Sequence, residues 1–237
     1  RLKQYSIKVL SSKEFRFRLT FIRQNYKLML KRGFAEFLGS FLFCTTVCMC
    51  NVSPIPALSA MASGLILTGM VYASAHLSGA HFNPLVSIAM LIRGKMQASL
   101  LPVYIISQFL GAATSGLIFL TMHSGKPLIG LDLSQLPLQA ILAELIGSFG
   151  LIYVTLNVAS SRNTQGNHYY GLAIGVTYSA LAMALGPISG GVFNPSLSLV
   201  LGITNISQFS NLWMLWLGQF AGGVMAAVSF LFLSGKE

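Results

Sequence analysis

The sequence predicts an all-α membrane protein with six transmembrane helices and two re-entrant half-helices, arranged as an inverted repeat of three spans plus three spans. Three observations lead to this fold class: six long apolar segments, a duplicated set of short motifs, and two Asn-Pro dipeptides that each precede a short apolar run. Charged residues make up only 8% of the chain, whereas a soluble domain usually carries about 25%.

The six apolar segments are each close to the roughly 20 residues that a helix needs to cross a bilayer. They are residues 34–52, 56–75, 98–122, 137–160, 169–186 and 211–233. Together they leave no room for a separate soluble domain.

The net charge of +10 is concentrated at the N-terminus, where ten of the fifteen basic residues lie within residues 1–32. These ten are Arg1, Lys3, Lys8, Lys13, Arg16, Arg18, Arg23, Lys27, Lys31 and Arg32. A basic segment beside a first span is typical of the cytoplasmic side of a membrane, and it can contact anionic lipid. We therefore interpret it as a tail that sets topology, partly disordered, and not as a nucleic-acid-binding segment.

The remaining basic residues predict the same orientation. With six spans, both termini lie on one side of the membrane. Arg93, Lys95, Arg162 and Lys236 fall on the side of the basic tail, and only Lys126 falls opposite. We expect an integral multi-pass membrane protein with both termini in the cytoplasm.

The three cysteines, Cys44, Cys48 and Cys50, all lie in or at the end of the first span. The chain has no other cysteine to pair with them, and no set of metal-ligand residues accompanies them. We expect them to pack as apolar side chains, with no metal and no cofactor. The chain also lacks a recognisable nucleophile–base pair, so the sequence does not predict an enzyme.

Three motif pairs recur in the same order along the chain. Residues 35–41 and 143–149 share Ala-Glu-x-x-Gly-Ser-Phe, residues 78–84 and 189–195 share Ser-Gly-x-x-Phe-Asn-Pro, and residues 108–111 and 219–222 share Gln-Phe-x-Gly. The separations are 108 residues from Glu36 to Glu144, and 111 from Asn83 to Asn194 and from Gln108 to Gln219. Because each half has three spans, the second half enters the membrane inverted, which places a working site where the halves meet.

Each Asn-Pro dipeptide predicts the start of a short helix, because Asn is a favoured N-cap and Pro suits the first helical position. The apolar runs that follow, 85–91 and 196–201, are about half a membrane span long. Inversion brings the two helix starts together at the centre, where each behaves like roughly half a positive charge. The Asn83 and Asn194 amides could then donate hydrogen bonds to a passing oxygen while the helix ends repel cations.

With these motifs, the chain resembles the aquaporin, or major intrinsic protein, family over residues 33–233. The family's boxes read Asn-Pro-Ala, and here they read Asn83-Pro84-Leu85 and Asn194-Pro195-Ser196. The segment 186–191 is most similar to the branch known for ammonia and peroxide as well as water, and Leu101-Pro102 points weakly the same way.

The resemblance also implies a domain organisation and an assembly. It implies one channel domain over 33–233, with repeats at about 33–122 and 137–233, between the basic tail of 1–32 and a short cytoplasmic end at 234–237. It further implies a homotetramer with one pore per subunit, and Gly171 and Gly175, four residues apart, permit close helix contact.

The resemblance implies that Glu36 and Glu144 brace the re-entrant loops by accepting backbone N–H bonds, with Gln108 and Gln219 as similar polar braces. An acid–base pair of the two Glu residues is the alternative, although the repeat places them in opposite halves. His81 is either a hydrogen-bonded loop residue or a pH sensor.

Counting from the boxes places the family's selectivity filter at Ser63, Ala182, Gly191 and Leu197. The family usually has Arg at the last of these positions, and glycerol-conducting members have Asp where Ser198 stands here. Small side chains and the missing Arg predict a wide filter, modest for water and permissive to small neutral solutes.

We therefore expect a passive channel for water and small uncharged solutes, with peroxide, ammonia, glycerol and urea as candidates. The first alternative is a structural or adhesive membrane protein of the same fold with low conductance, because an apolar constriction can dewet. An ion channel is a second alternative, but the predicted pore has no ring of charged residues.

Overall fold

A computed structural model describes residues 12–51, 55–123, 130–134 and 136–235. In these residues the regular structure is helical. The α-helices are α1 Ser12–Asn51, α2 Pro56–Ser78, α3 Pro84–Ile92, α4 Leu101–Met122, α5 Pro137–Ser160, α6 Tyr170–Ser189, α7 Pro195–Ile203 and α8 Leu212–Ser234. Short 3-10 turns cover Ala98–Leu100, Arg162–Thr164 and Phe209–Asn211.

Six of these helices are long and apolar enough to cross a membrane, which confirms the fold class. The candidate spans, two of which include a preceding 3-10 turn, are Arg23–Cys50, Pro56–Ser78, Ala98–Met122, Pro137–Ser160, Tyr170–Ser189 and Phe209–Ser234. The two short helices, α3 and α7, follow the Asn-Pro dipeptides where half-helices were predicted.

Helix α1 begins earlier than the predicted first span. It starts at Ser12 and runs without interruption past residue 33, so the predicted boundary between a partly disordered tail and the channel falls inside a helix. Residues 12–32 contain neither Gly nor Pro and are rich in Leu, Lys and Arg, which favour helix. Residues 1–11, Lys126 and Lys236 lie outside the described residues.

The two halves interlock through their half-helices. Within each half, α1 packs against α2 and α4, and α5 packs against α6 and α8. Across the halves, α2 packs against α6, α3 lies against α8, and α7 lies against α4. Each half-helix is therefore held partly by the opposite half, and this brings the two preceding loops to the middle of the molecule.

The repeated Gln-Phe-x-Gly motif ends in a glycine because two helices cross there. A Cβ atom at Gly111 of α4 would meet the Phe37 carbonyl oxygen and lie 3.0 Å from the Phe41 nitrogen of α1. A Cβ atom at Gly222 of α8 would meet α5 in the same way, 3.0 Å from the Phe149 nitrogen. These backbones approach so closely that only glycine fits.

Gly171 and Gly175 serve a contact inside the chain. A Cβ atom at Gly171 would lie 2.9 Å from the Tyr72 ring, and one at Gly175 would overlap the Gly64 carbonyl oxygen and the Thr68 side chain. Their spacing is thus explained by the packing of α6 on α2 and no longer bears on subunit assembly.

We expect Gly175→Leu to lower the stability of the protein, because the new side chain would overlap the backbone of α2. Overpacking of this kind typically costs about 1–3 kcal/mol. Thermal unfolding in detergent measures the loss. The matched control is Gly69→Leu on α2, where a Cβ atom has no neighbour within 4 Å; equal losses for both variants would contradict the close-contact explanation.

Candidate functional site

The starts of the two half-helices are built in the same way. Asn83 precedes α3 in extended conformation, and its side-chain oxygen accepts the Leu85 N–H at 2.9 Å. Asn194 precedes α7, and its side-chain oxygen accepts the Ser196 N–H at 3.1 Å and the Ser196 hydroxyl at 2.8 Å. Each Asn is therefore an N-cap, which orients its amide nitrogen away from its own helix.

The two Asn amides also tie the halves together. Asn83 Nδ2 donates to the carbonyl oxygen of Phe193 at 2.9 Å, and Asn194 Nδ2 donates to the carbonyl oxygen of Phe82 at 2.9 Å. An amide nitrogen carries two hydrogens, so each retains one for another acceptor. Both Asn residues line the same small cavity, so the structure brings together the two side chains expected at the centre.

The Phe before each Asn adopts an unusual backbone conformation. The φ angles of Phe82 and Phe193 are 49° and 50°, in the left-handed region that bulky residues seldom adopt. Each ring packs where a glycine of the first or fifth helix leaves room, at Gly39 and Gly147, since a Cβ atom there would overlap the ring. The conformation turns each Phe carbonyl toward the Asn of the other half.

Glu36 holds the first loop from inside the protein. It is fully buried and accepts four hydrogen bonds: from Ser78 Oγ at 2.6 Å, the His81 N–H at 3.0 Å, the Phe82 N–H at 2.7 Å and Gln108 Nε2 at 2.8 Å. Two of these donors are backbone amides of the loop itself. This geometry is that of a brace, because the Phe82 N–H bond to Glu36 holds Phe82 in its left-handed conformation.

Glu144 holds the second loop with the same four kinds of donor. Ser189 Oγ lies at 2.6 Å, the Val192 N–H at 3.0 Å, the Phe193 N–H at 2.8 Å and Gln219 Nε2 at 2.7 Å from its carboxylate. Each carboxylate is engaged by donors of its own half, so the contacts do not form the acid–base pair that was the alternative.

Sequence reasoning missed four serines in these networks. Ser78 and Ser189 donate to the carboxylates, and the Gln side chains donate to Ser87 at 3.0 Å and to Ser198 at 2.9 Å. A signal was present, because both serine pairs are separated by 111 residues, as the two Asn residues are. Ser198 thus has a bracing contact at the position where glycerol-conducting relatives carry Asp.

His81 is a hydrogen-bonded loop residue. Its N–H donates to Glu36, its ring nitrogen Nδ1 lies 3.0 Å from Ser87 Oγ, and its ring contacts that of Tyr104 at 5.1 Å between centroids. It also lines the cavity that contains the two Asn residues. The second half has Val192 at the matching position, so the two loops differ chemically here.

Two adjoining cavities lead to the Asn pair from one side. The larger, which we call the vestibule, has a volume of about 580 Å³ and is lined in part by Lys95 and Arg162. The smaller, the inner cavity, offers about 20 Å³ to the centre of a water molecule, enough for about one water. Both cavities are lined by Val71, Ala80, His81, Val86, Thr155 and Ile174.

The four positions expected to form the filter line neither of these cavities. Gly191, with φ of 64°, lies against Ala182, because a Cβ atom on Gly191 would be 2.9 Å from the Ala182 Cα. Ser63 is buried and its hydroxyl donates to the Ser59 carbonyl at 2.8 Å within α2. Leu197 is only 1% exposed. It belongs to the main apolar cluster, the group of packed buried side chains that also includes Phe43, Phe82, Val200 and Leu215.

The two box residues that depart from the family pattern have packing and capping roles. Leu85 is buried and faces Gly223 of α8, where a Cβ atom would lie 3.4 Å from the Leu85 Cβ. Ser196 adds its hydroxyl bond to Asn194. Cys44 and Cys48 are fully buried in the main apolar cluster, in line with a packing role. Within the described ranges, no three His, Cys, Asp or Glu side chains group as metal ligands would.

Comparison with known proteins agrees with this geometry. The model of the major intrinsic protein family matches residues 24–230. Among curated proteins, the chain is 30% identical over 217 residues to aquaporin NIP2-1 of Oryza sativa subsp. japonica, covering 88% of this chain and 72% of the relative. It is 33% identical over 165 residues to the putative aquaporin NIP4-1 of Arabidopsis thaliana, covering 67% of this chain and 56% of the relative.

Among solved structures, the fold is similar to the aquaglyceroporin from Plasmodium falciparum, with a TM-score of 0.68. That likeness covers 85% of this chain and 95% of the other, and at 22% identity it bears on the fold alone. The predicted family and fold are confirmed, and the plant aquaporin relatives are consistent with the branch indicated by residues 186–191. The chain therefore belongs to the major intrinsic protein family, whose members are passive channels for water and small solutes.

Proposed function

We propose that this chain conducts water and small uncharged solutes along the vestibule and the inner cavity, past Asn83 and Asn194. The observation that carries the proposal is the pair of capping amides, which meet inside one cavity and each retain a hydrogen to donate. A solute oxygen or nitrogen can accept these hydrogen bonds in place of part of its hydration shell.

Exclusion of ions follows from the same arrangement. The N-termini of α3 and α7 meet beside the inner cavity, and each contributes roughly half a positive charge. The lining of the inner cavity contains no carboxylate to offset that charge. Cation channels instead use rings of acidic side chains, so the site favours neutral molecules.

The charge distribution supports a proposed orientation. Arg93, Lys95 and Arg162 lie at the ends of α3 and α5, and Lys95 and Arg162 line the vestibule. By the positive-inside rule, the vestibule opens to the cytoplasm and both termini are cytoplasmic, where the basic start of α1 contacts anionic lipid. Protease accessibility of termini in sealed vesicles tests this orientation.

Assembly as a homotetramer with one pore per subunit is proposed from family membership. Many large apolar side chains remain exposed on the single chain, including Leu65, Leu117 and Val176, and lipid or neighbouring subunits would cover them. Mass measurement in lipid nanodiscs tests the assembly, and a clean monomer would count against it.

The proposed conduction is tested with purified protein in liposomes. We expect water permeability above that of protein-free vesicles, without added potassium or proton leak. The matched blocked variant is Val86→Trp, because Val86 lines both cavities and a larger side chain there fills the route. If folded wild-type protein and Val86→Trp give the same flux, the vestibule and the inner cavity are not the conducting route.

A further inference from the structure

The inner cavity ends at an aromatic pair on the side away from the vestibule. Val71 of α2 and Ile174 of α6 line both cavities, whereas Leu67 and Tyr178, one helical turn away on the same helices, line only the inner cavity, as Phe43 does. Leu67 and Tyr178 therefore lie on the side of the inner cavity that faces away from the vestibule. The side chains of Phe43, Leu67 and Tyr178 are at least nine-tenths buried and belong to the main apolar cluster. The cluster also contains Leu197, which stands where the family usually has a filter Arg.

Helical spacing relates this end of the cavity to the expected filter. Leu67 lies four residues after Ser63 on α2, and Tyr178 lies four residues before Ala182 on α6. Four residues are about one turn of helix, and they point along the same face. Leu67 and Tyr178 are therefore one turn closer to the Asn pair than the two predicted filter positions.

Tyr178 is held in place from three directions. Its ring meets Phe43 edge-on, with centroids 5.2 Å apart and planes at 82°, and it meets Phe193 at 6.0 Å and 71°. Its hydroxyl donates to the carbonyl oxygen of Gly191 at 3.2 Å. A ring fixed by two aromatic neighbours and one hydrogen bond has little freedom to move aside for a large solute.

Resting on the proposed channel function, we propose that Phe43 and Tyr178 form the size- and rate-limiting constriction of this channel. It takes the place of the filter that counting from the boxes puts at Ser63, Ala182, Gly191 and Leu197. Those four positions line neither cavity.

The chemistry of this constriction favours small solutes with little to lose on dehydration. The Tyr178 hydroxyl hydrogen is donated to the Gly191 carbonyl, so the side chains of the constriction offer a solute the Tyr178 oxygen as an acceptor and otherwise aromatic and aliphatic carbon. Apolar constrictions slow strongly hydrated solutes. Water, ammonia and peroxide are smaller than urea and glycerol, so a fixed aromatic constriction excludes the two larger solutes first.

The experiment compares wild type with Tyr178→Val and Tyr178→Phe in proteoliposomes, measuring water, peroxide, urea and glycerol flux per folded protein. We expect Tyr178→Val to raise water flux roughly tenfold, equivalent to about 1.4 kcal/mol off the barrier, and to admit urea and glycerol that wild type excludes. Tyr178→Phe keeps the ring but loses its tether to Gly191, so its fluxes should lie between the other two.

The matched control is Phe119→Val, which removes a fully buried ring that lines neither cavity. Its flux per folded protein should equal that of wild type. If Tyr178→Val folds and conducts as wild type does, or if wild type already passes glycerol and urea, the constriction lies elsewhere and the proposal is overturned, although the channel function stands. If no variant conducts above protein-free vesicles, the channel function itself fails.

If Tyr178→Val does not fold, the proposal is tested with the flux through Tyr178→Phe instead. Because Phe fills the same volume, its fold is expected to survive. An unchanged water flux in folded Tyr178→Phe, together with an unchanged flux in Phe43→Leu, would then overturn the proposal.

Discussion

Replacing Glu144 by Ala should remove most of the correctly folded protein. The carboxylate accepts four hydrogen bonds, and alanine would leave the buried backbone N–H groups of Val192 and Phe193 without an acceptor. Each such donor costs about 1–3 kcal/mol, against a typical total stability of about 5–15 kcal/mol. Phe193 would also lose the bond that holds its left-handed conformation. The fraction of monodisperse protein after extraction, and its unfolding temperature, measure the effect.

Two controls separate bracing from a loss of negative charge. Glu144→Gln keeps the shape and one acceptor oxygen but turns an amide group toward buried donors, so its yield should be intermediate. Asp132→Ala removes an exposed carboxylate that accepts from the N–H and hydroxyl of Ser134, and its yield should match wild type. Normal yield of Glu144→Ala with changed solute selectivity would show that Glu144 acts on selectivity and not on folding.

The repeated motifs were readable from the sequence because each repeated residue has a structural partner in its own half. In the first half, Glu36 accepts the loop amides and Gly39, three residues later, makes room for the ring of Phe82. Gln108 donates to that carboxylate, and Gly111 brings its helix close enough to do so. Because the contacts at each of these positions restrict which residue type fits, and the same contacts occur in both halves, the motifs recur and can be recognised in a single sequence.

The constriction could not be predicted from the sequence in this way, because Phe43 and Tyr178 do not belong to any of the repeated motifs. Counting from the boxes locates positions on a helix but does not tell which side chain closes the route. Tyr178 on an apolar helix looks like an ordinary core aromatic until its ring is seen beside Phe43 at the end of the cavity. The identity of the limiting residue depends on how far each side chain reaches, which spacing alone does not contain.

Helix α1 extends beyond the predicted first span for a related reason. Hydropathy marks where a helix can lie in lipid, but residues 12–32 are charged and still favour helix. The apolar segment Arg23–Cys50 is therefore one part of the longer helix Ser12–Asn51.

Replacing Asn194 by Asp should make the channel leak cations. The carboxylate retains the capping bonds from Ser196 but cannot donate to the Phe82 carbonyl as the amide does. The two half-helix ends together contribute about one positive charge beside the cavity, and one carboxylate offsets it. We expect potassium and proton flux in liposomes to rise by about tenfold or more over wild type, since each 1.36 kcal/mol of barrier is a factor of ten.

Asn194→Ser is the matched control for this substitution. Serine is also a favoured N-cap, and it removes the bond to Phe82 without adding charge. We expect the Asn194→Ser variant to conduct less water than wild type and to remain impermeable to cations. If the Ser variant leaks as much as the Asp variant, the crossed hydrogen bond between the halves, and not the helix-end charge, excludes cations. If folded Asn194→Asp stays as tight as wild type, the electrostatic explanation of ion exclusion is wrong.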